Sequence, residues 1–467
     1  LLAHNFKRTK IVATIGPASS SSKVLEQLVK AGMNAARLNM SHGTHDEHAA
    51  VIKLVREFSR QYDKPVAVIV DLQGPKIRIG EIPDDGLALV RTRPVAFGFE
   101  TDYDKSGIIP VQHDISKYVR AGQTMMLRDG QIRVKIDRVA KGIIHGAVTQ
   151  PGLLYSHQGI NLPETDLGGD IFTPKDMADL KFAAEQDADY VALSFVQNVD
   201  DIGSLKRKMK RLEFDAGVIA KIETRPAIQN IDAIIDSCDA VMVARGDLAI
   251  EAGTETVPVL QNYIVEAGRA RKKIVIVATQ MLESMIESKQ PTRAEVSDVA
   301  TAVTQQADAV MTSGETAVGK HPVETIEMMK SIITYTEKFR DYPAPTMADF
   351  GTYNAIAAAA IILARQVEAK VIIAGTSSGQ TARNLAAYRP PVPLIVATNS
   401  PRVYQRMALL WGSKSFLTKH LTHSNDSIIE ELKAAGTIDY GDPVVVAYGH
   451  HKGVVGGTDT VQVKVVE

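Results

Sequence analysis

The sequence predicts an α/β fold: a (β/α)8 (TIM) barrel carrying an inserted small β-barrel lid domain and followed by a C-terminal α/β domain. Three observations carry that prediction. Eight short runs rich in Val, Ile or Ala recur along the chain, most of them followed by a segment with helical spacing. One interval between two such runs is over a hundred residues long and has β character. After EKFRDYPAPT, a Pro-containing linker, strand and helix signals resume.

The eight runs are KIVATI (10–15), NAARLNM (34–40), PVAVIVD (65–71), DYVALSF (189–195), GVIAKIE (217–223), DAVMVAR (239–245), KIVIVAT (273–279) and DAVMTS (308–313). Continuous apolar strands alternating with segments such as SSKVLEQLVKAG and KDMADLKFAAEQ imply a parallel sheet covered on both faces. Eight units favour a closed barrel over the competing doubly wound open sheet. The long interval falls between Asp71 and Asp189, far more than a helix needs. Its middle, ALVRTRPVAFGF and QTMMLRDGQIRVKIDRVAKGIIHGAVTQ, reads as strands, with Asp129-Gly130 as a hairpin turn. A β insertion that follows a barrel strand sits at the catalytic mouth and can act as a lid. The expected boundaries are 1–79 with 163–342 for the barrel, 80–162 for the lid and 343–467 for the C-terminal domain, where AIAAAAIILARQ, KVIIAG, PLIVAT and DPVVVAYG alternate.

Fifty-three Lys and Arg face 54 Asp and Glu, a net charge of −1. That balance argues against a nucleic-acid or membrane-surface binder, so any anion must be held by a local cluster. No run reaches the ~18 apolar residues of a membrane span. LLAHNFKRTK is too short and polar for a signal peptide, and a cytoplasmic location is expected. The single cysteine, Cys238, excludes an internal disulfide; its neighbours IIDSCDAVMV supply no base, so a buried structural thiol is expected.

In a barrel the strand C-termini converge on one rim, where function sits. Reading the ends in order gives Arg37, Asn39 and Ser41; Asp71; Lys221 and Glu223; Arg245, Gly246 and Asp247; Thr279; Ser313 and Glu315. Glu223 and Asp247 close neighbouring strands, and two such carboxylates form a notch suited to Mg2+; a pair of Arg–carboxylate bridges is the competing reading. Lys221 precedes Glu223 by two residues, so both point the same way. A lysine beside a metal and Arg37 marks a phosphate-bearing substrate, and Gly246 permits close approach of a backbone N–H to an anion. The histidines of HGTHDEH have the spacing of metal ligands, but a hydrophilic helix start is the simpler reading for His45 and His48.

Seven segments, ARLNMSHG, VDLQGPKIR, AKIE, VARGDL, ATQMLESMIE, PTRAEVSDVA and SGETAVGKHP, occur in an order and spacing that resembles pyruvate kinases over essentially the whole chain. The resemblance implies the last step of glycolysis: phosphoryl transfer from phosphoenolpyruvate to ADP, giving pyruvate and ATP. It implies that Arg37 and Lys221 meet the transferring phosphoryl group and that Glu223 and Asp247 hold Mg2+ (or Mn2+). Gly246, Asp247 and Thr279 would grip the substrate carboxylate, with a proton relay near Thr279 backed by Ser313 and Glu315. Pro17 and His42 match positions flanking the ADP base, Arg78 a nucleotide-phosphate contact, and Asp129 a lid residue facing the site. A barrel lyase acting on a pyruvate enolate and a non-catalytic regulator are the alternatives. An intact Lys221, Glu223, Asp247 and Thr279 speaks against the second.

The sequence departs from the family pattern at Gln158, where Lys is usual, at Glu164, where Gly is usual, and at Thr312, where an apolar residue is usual. The first puts the ADP contact in doubt. The family also implies a monovalent-cation site at Asn39, Ser41, Asp71 and the Leu72 carbonyl. Here DLQGPK places Lys76 where K+-dependent enzymes carry Glu, so Lys76 is expected to stand in for K+ and no K+ requirement follows. In GTSSGQTAR, residues Thr376, Ser377, Ser378, Gly379 and Thr381 match a site for a phosphorylated small-molecule activator. A homotetramer is the usual family assembly.

Overall fold

The computed structural model describes residues 6–75, 77–128, 130–163, 165, 171–340, 342, 352–421, 425–449 and 458–467. All eight apolar runs are strands: β1 (Lys10–Thr14), β2 (Ala35–Asn39), β3 (Ala67–Asp71), β4 (Tyr190–Leu193), β5 (Gly217–Ile222), β6 (Ala240–Ala244), β7 (Ile274–Ala278) and β8 (Ala309–Thr312). They close into a parallel barrel, β8 pairing with β1 at Lys10–Ala309 and β1 with β2 at Val12–Ala35. Their apolar residues serve two cores because side chains alternate across a strand. One set, including Val68, Val70, Val218 and Val241, meets the outer helices. The other, including Ile69, Tyr190, Ile219, Met242 and Ile276, fills the lumen.

Helices begin where their caps dictate. Thr44, Thr173, Asn198 and Thr292 each accept the N–H of the third helical residue, whose carboxylate returns the bond to the cap's own N–H. These reciprocal caps fix the short loops that leave the rim.

The interval after β3 holds a six-stranded sheet and a two-stranded ribbon with a core of their own, centred on Phe97, Leu127, Ile132 and Ile144. Thr124–Leu127 and Ile132–Ala140 form the expected hairpin around the Asp129-Gly130 turn, of which Asp129 lies outside the described residues. A Cβ built on Gly130 would stand 3.7 Å from Ile250, so the hairpin tip lies against the rim helix Arg245–Ala252.

The C-terminal domain is a five-stranded sheet in the order Ser413–Leu417, Leu394–Thr398, Val371–Gly375, Pro443–Tyr448, Thr460–Val465, only the last strand antiparallel. It closes the barrel floor, and its Leu385, Leu409 and Leu410 belong to the same continuous apolar core as the lumen. Asp308 at the foot of β8 takes Arg389 through both oxygens, at 3.1 and 3.2 Å, plus the N–H groups of Val275 and Trp411. Among the described residues no helix is long and apolar enough to cross a membrane.

Candidate active site

The rim brings together Arg37 from β2, Asp71 from β3, Lys221 and Glu223 from β5, and the Gly246–Asp247 helix start after β6. Arg37 donates its Nε to Asp71 Oδ2 at 2.6 Å and its Nη1 to Thr14 Oγ1 at 3.0 Å. Lys221 Nζ lies 3.6 Å from Asp71 Oδ1 and 3.3 Å from Glu223 Oε2, and donates to Ser194 Oγ at 2.7 Å. Two cations and two carboxylates are thus held in a largely buried cluster, each polarised by the others.

The titrations follow from that geometry. Burial opposes the charge on Lys221, but Asp71 and Glu223 outweigh it and hold the ammonium above its ordinary value. Burial likewise opposes the Asp71 carboxylate, and Lys221 and Arg37 outweigh it, so Asp71 stays below its usual range. Glu223 goes the other way: burial pushes it up to about 7, Lys221 opposes, and Asp247 adds to the rise. The reason is incomplete pairing. Its Oε1 accepts the Phe195 N–H at 2.6 Å, while its buried Oε2 has no hydrogen-bond donor.

A buried carboxylate oxygen without a donor, close to a second carboxylate, is chemistry that a hard divalent cation completes. Glu223 and Asp247 therefore fit Mg2+ or Mn2+. The Arg–carboxylate alternative fails for Arg245: it reaches Asp298 at 2.6 and 2.7 Å and the carbonyls of Ala278 and Thr279, away from both acids.

Arg245 thereby pins a strained turn. Thr279 and Gln280 both have positive φ, +69° and +54°, a rare backbone for residues with a Cβ. The turn aims Thr279 Oγ1 at the Gly246 N–H, which donates to it at 2.9 Å and leaves the hydroxyl proton free to donate. Glu315 is buried and clamps two backbone amides, Leu282 at 3.1 Å and Ser313 at 2.6 Å.

Other expected residues lie further out. Asn39 Oδ1 accepts the Ser41 N–H at 3.2 Å, and the Leu72 carbonyl accepts the Ser194 hydroxyl at 2.7 Å. Pro17 and His42 are exposed after β1 and β2. Arg78 reaches the His157 carbonyl at 2.9 Å near the end of the lid, and Gln158 is spent inside the lid, its Oε1 on the Tyr155 N–H. Lys76 and Glu164 lie outside the described residues. His45 hydrogen-bonds to buried Asp179 at 2.8 Å and stacks on Phe182, and His48 bonds to the His42 carbonyl and is buried rather than hydrophilic surface. Thr312 has a fully buried hydroxyl paired with Thr316 at 2.9 Å. Cys238 is buried, and burial pushes its thiol up to about 12.

In the C-terminal domain Thr376 Oγ1 accepts the Gly379 N–H at 2.9 Å and Thr381 pairs with Thr458 at 2.7 Å, while Ser377 and Ser378 are exposed. Gly379 has φ +85°, and a Cβ there would meet Met407 at 2.9 Å, so the turn requires glycine.

Three residues escaped the sequence reading: Thr14, Asp298 and Ser194. Ser194 and Thr14 left the same signal, since each is the second-last residue of one of the two runs, DYVALSF and KIVATI, from which no rim side chain was drawn.

Comparison with known proteins shows the family. Residues 6–326 match the family model described as pyruvate kinase, barrel domain, and residues 354–464 that described as pyruvate kinase, alpha/beta domain. A pyruvate kinase from Agrobacterium vitis is 40% identical over 468 residues, 98% of this chain and 98% of that protein. One from Thermococcus litoralis is 36% identical, again over 98% of each. The crystal structure of a pyruvate kinase from Cryptosporidium parvum, 30% identical, superposes with a TM-score of 0.90 over 99% of this chain and 96% of that one. With the fold and both family matches in agreement, the chain belongs to the pyruvate kinase family.

Proposed function

We propose that this pyruvate kinase transfers the phosphoryl group of phosphoenolpyruvate to ADP at the barrel rim, with Lys221 and Arg37 as the groups that meet it. The observation that carries the assignment is the Lys221 ammonium set between Asp71 and a Glu223 whose second oxygen lacks a donor. Phosphoryl transfer is mostly positioning and neutralisation of charge spread over oxygens. Arg37, fixed by Asp71 and Thr14, offers its remaining N–H groups in a rigid fork. The Gly246–Asp247 backbone and the Thr279 hydroxyl receive the carboxylate. Thr279, whose proton is free to donate, is the nearest member of the relay that protonates the methylene carbon. Ser313 is assigned to the same relay, and Glu315 holds the Ser313 amide. Glu223 and Asp247 would hold the divalent cation, which when bound supplies Lewis-acid neutralisation of the enolate oxygen. Pro17, His42, Arg78 and Asp129 are assigned to ADP.

A coupled assay of ATP formation from phosphoenolpyruvate and ADP under saturating Mg2+ tests the reading. ATP formation is expected; its absence, with pyruvate enolate chemistry instead, would favour a barrel lyase.

We further infer that no K+ is needed, on the strength of the DLQGPK motif, which carries Lys76 at the position where K+-dependent members have Glu. Rates at constant ionic strength should be the same in K+ and in a bulky organic cation. Lys76→Glu should create a K+ requirement. Activation by a phosphorylated metabolite at Thr376–Thr381, within a homotetramer, is supported by the exposed Ser377 and Ser378 hydroxyls at a glycine turn. A screen of sugar phosphates and nucleotides, repeated on Ser377→Ala/Ser378→Ala, checks it.

A further inference from the structure

We propose that Ser194 is a positioning residue for Lys221, and this rests on Lys221 meeting the phosphoryl group as assigned above. Ser194 follows β4 and is buried, and its hydroxyl sits between two groups whose roles admit one arrangement. Lys221 has only donors, and the Leu72 carbonyl only accepts. Ser194 Oγ therefore accepts from Lys221 Nζ at 2.7 Å and donates to Leu72 O at 2.7 Å, with Asp71 Oδ1 a more distant alternative at 3.4 Å. One of the three ammonium N–H vectors is thereby fixed. The other two are left for Asp71 and Glu223, whose oxygens stand at longer range, and for substrate.

The mooring is itself anchored. The Leu72–Pro75 segment is held at a second point, where Gly74 donates its N–H to buried Asp176 at 3.0 Å. Gly74 has φ +68°, and a Cβ on it would stand 3.2 Å from Ser194 Cβ and 2.9 Å from the Phe195 ring. The segment lies directly on the Ser194–Phe195 turn. Phe195, itself at φ +57°, donates its N–H to Glu223. A four-carbon lysine stem loses several rotors when held in one pose, and a hydroxyl built into a rigid turn supplies that hold before substrate arrives.

The test is a double-mutant cycle with Lys221→Met, measured on the full chain. Ser194→Ala is expected to lower kcat by about tenfold, a loss of roughly 1.4 kcal/mol. The phosphoenolpyruvate KM should stay within about threefold, and the melting temperature and Mn2+ binding followed by electron paramagnetic resonance should be unchanged. On the Lys221→Met background the same substitution should change the residual rate by less than about twofold, because Ser194 acts through the ammonium. Equal fold-losses on both backgrounds, or a full kcat in Ser194→Ala while Lys221→Met is crippled, would overturn the proposal. Full activity in Lys221→Met would instead overturn the site assignment on which it rests.

Discussion

The two ends of the barrel use the same side chains to opposite effect. At the floor, Asp308 meets Arg389 through both oxygens and takes two backbone N–H groups as well. At the rim, Glu223 is just as buried but accepts a single backbone N–H, and its other oxygen has the Lys221 ammonium at 3.3 Å without hydrogen-bond geometry. A buried carboxylate with every lone pair answered is a rivet. One left short of donors carries a standing free-energy cost that a proton or a ligand relieves. Completeness of pairing, rather than residue type or burial, is what distinguishes Asp308 from Glu223.

The largest expected effect comes from Glu223→Gln. It should cost about 100-fold or more in activity and weaken Mn2+ binding. The contrast to look for is in stability without metal. Because burial holds the Glu223 carboxyl near 7, its stabilising contribution is whole below about 4.5 and is lost as pH rises through about 7. At pH 8 and without divalent ion, Glu223→Gln should therefore melt no lower than the parent. A large drop in melting temperature there would mean that Glu223 is a rivet too.

Asp308→Asn should do the reverse. Breaking a buried, hydrogen-bonded pair costs about 3–5 kcal/mol, read as a lower midpoint in urea, while kcat of the folded enzyme stays within about twofold. Loss of activity in folded protein would erase the distinction between floor and rim.

A smaller effect belongs to the junction between lid and barrel. Glu251 lines a cavity of about 100 Å3 with Asn161, Pro163, Thr165 and Thr224, and burial pushes its carboxyl up to about 7. As with Glu223, its contribution is intact below about 4.5 and lost through about 7. Glu251→Gln should leave the melting temperature unchanged at pH 5 and raise it by about 1–3 °C at pH 8. No difference between the two pH values would show that water reaches the carboxylate.

The sequence announced the strands more fully than the site. Eight Val/Ile/Ala runs are one-dimensional signals, and each became a barrel strand. Lys221 and Glu223 were likewise visible, because period-two alternation puts them on one side. Partners were not. Arg37 leans on Thr14, 23 residues away, and Arg245 on Asp298, 53 residues away, and no local pattern links such pairs. His48 looked like surface because its neighbours are polar; it is buried by Phe182, which arrives from the far side of the lid insertion.

The shared core of lumen and floor has a consequence for how this protein can be taken apart. Val12, Ile69, Ile219 and Met311 inside the barrel and Leu385, Leu409 and Leu410 beneath it belong to one apolar mass. The C-terminal domain is therefore a stopper, and the barrel is not a self-sufficient module. Cutting the chain at the linker would uncork the lumen, exposing an oily disc at its base and leaving Asp308 without its guanidinium. Grafting a foreign regulatory domain onto this enzyme would have to reproduce the underside of the stopper before any new control could be added above it.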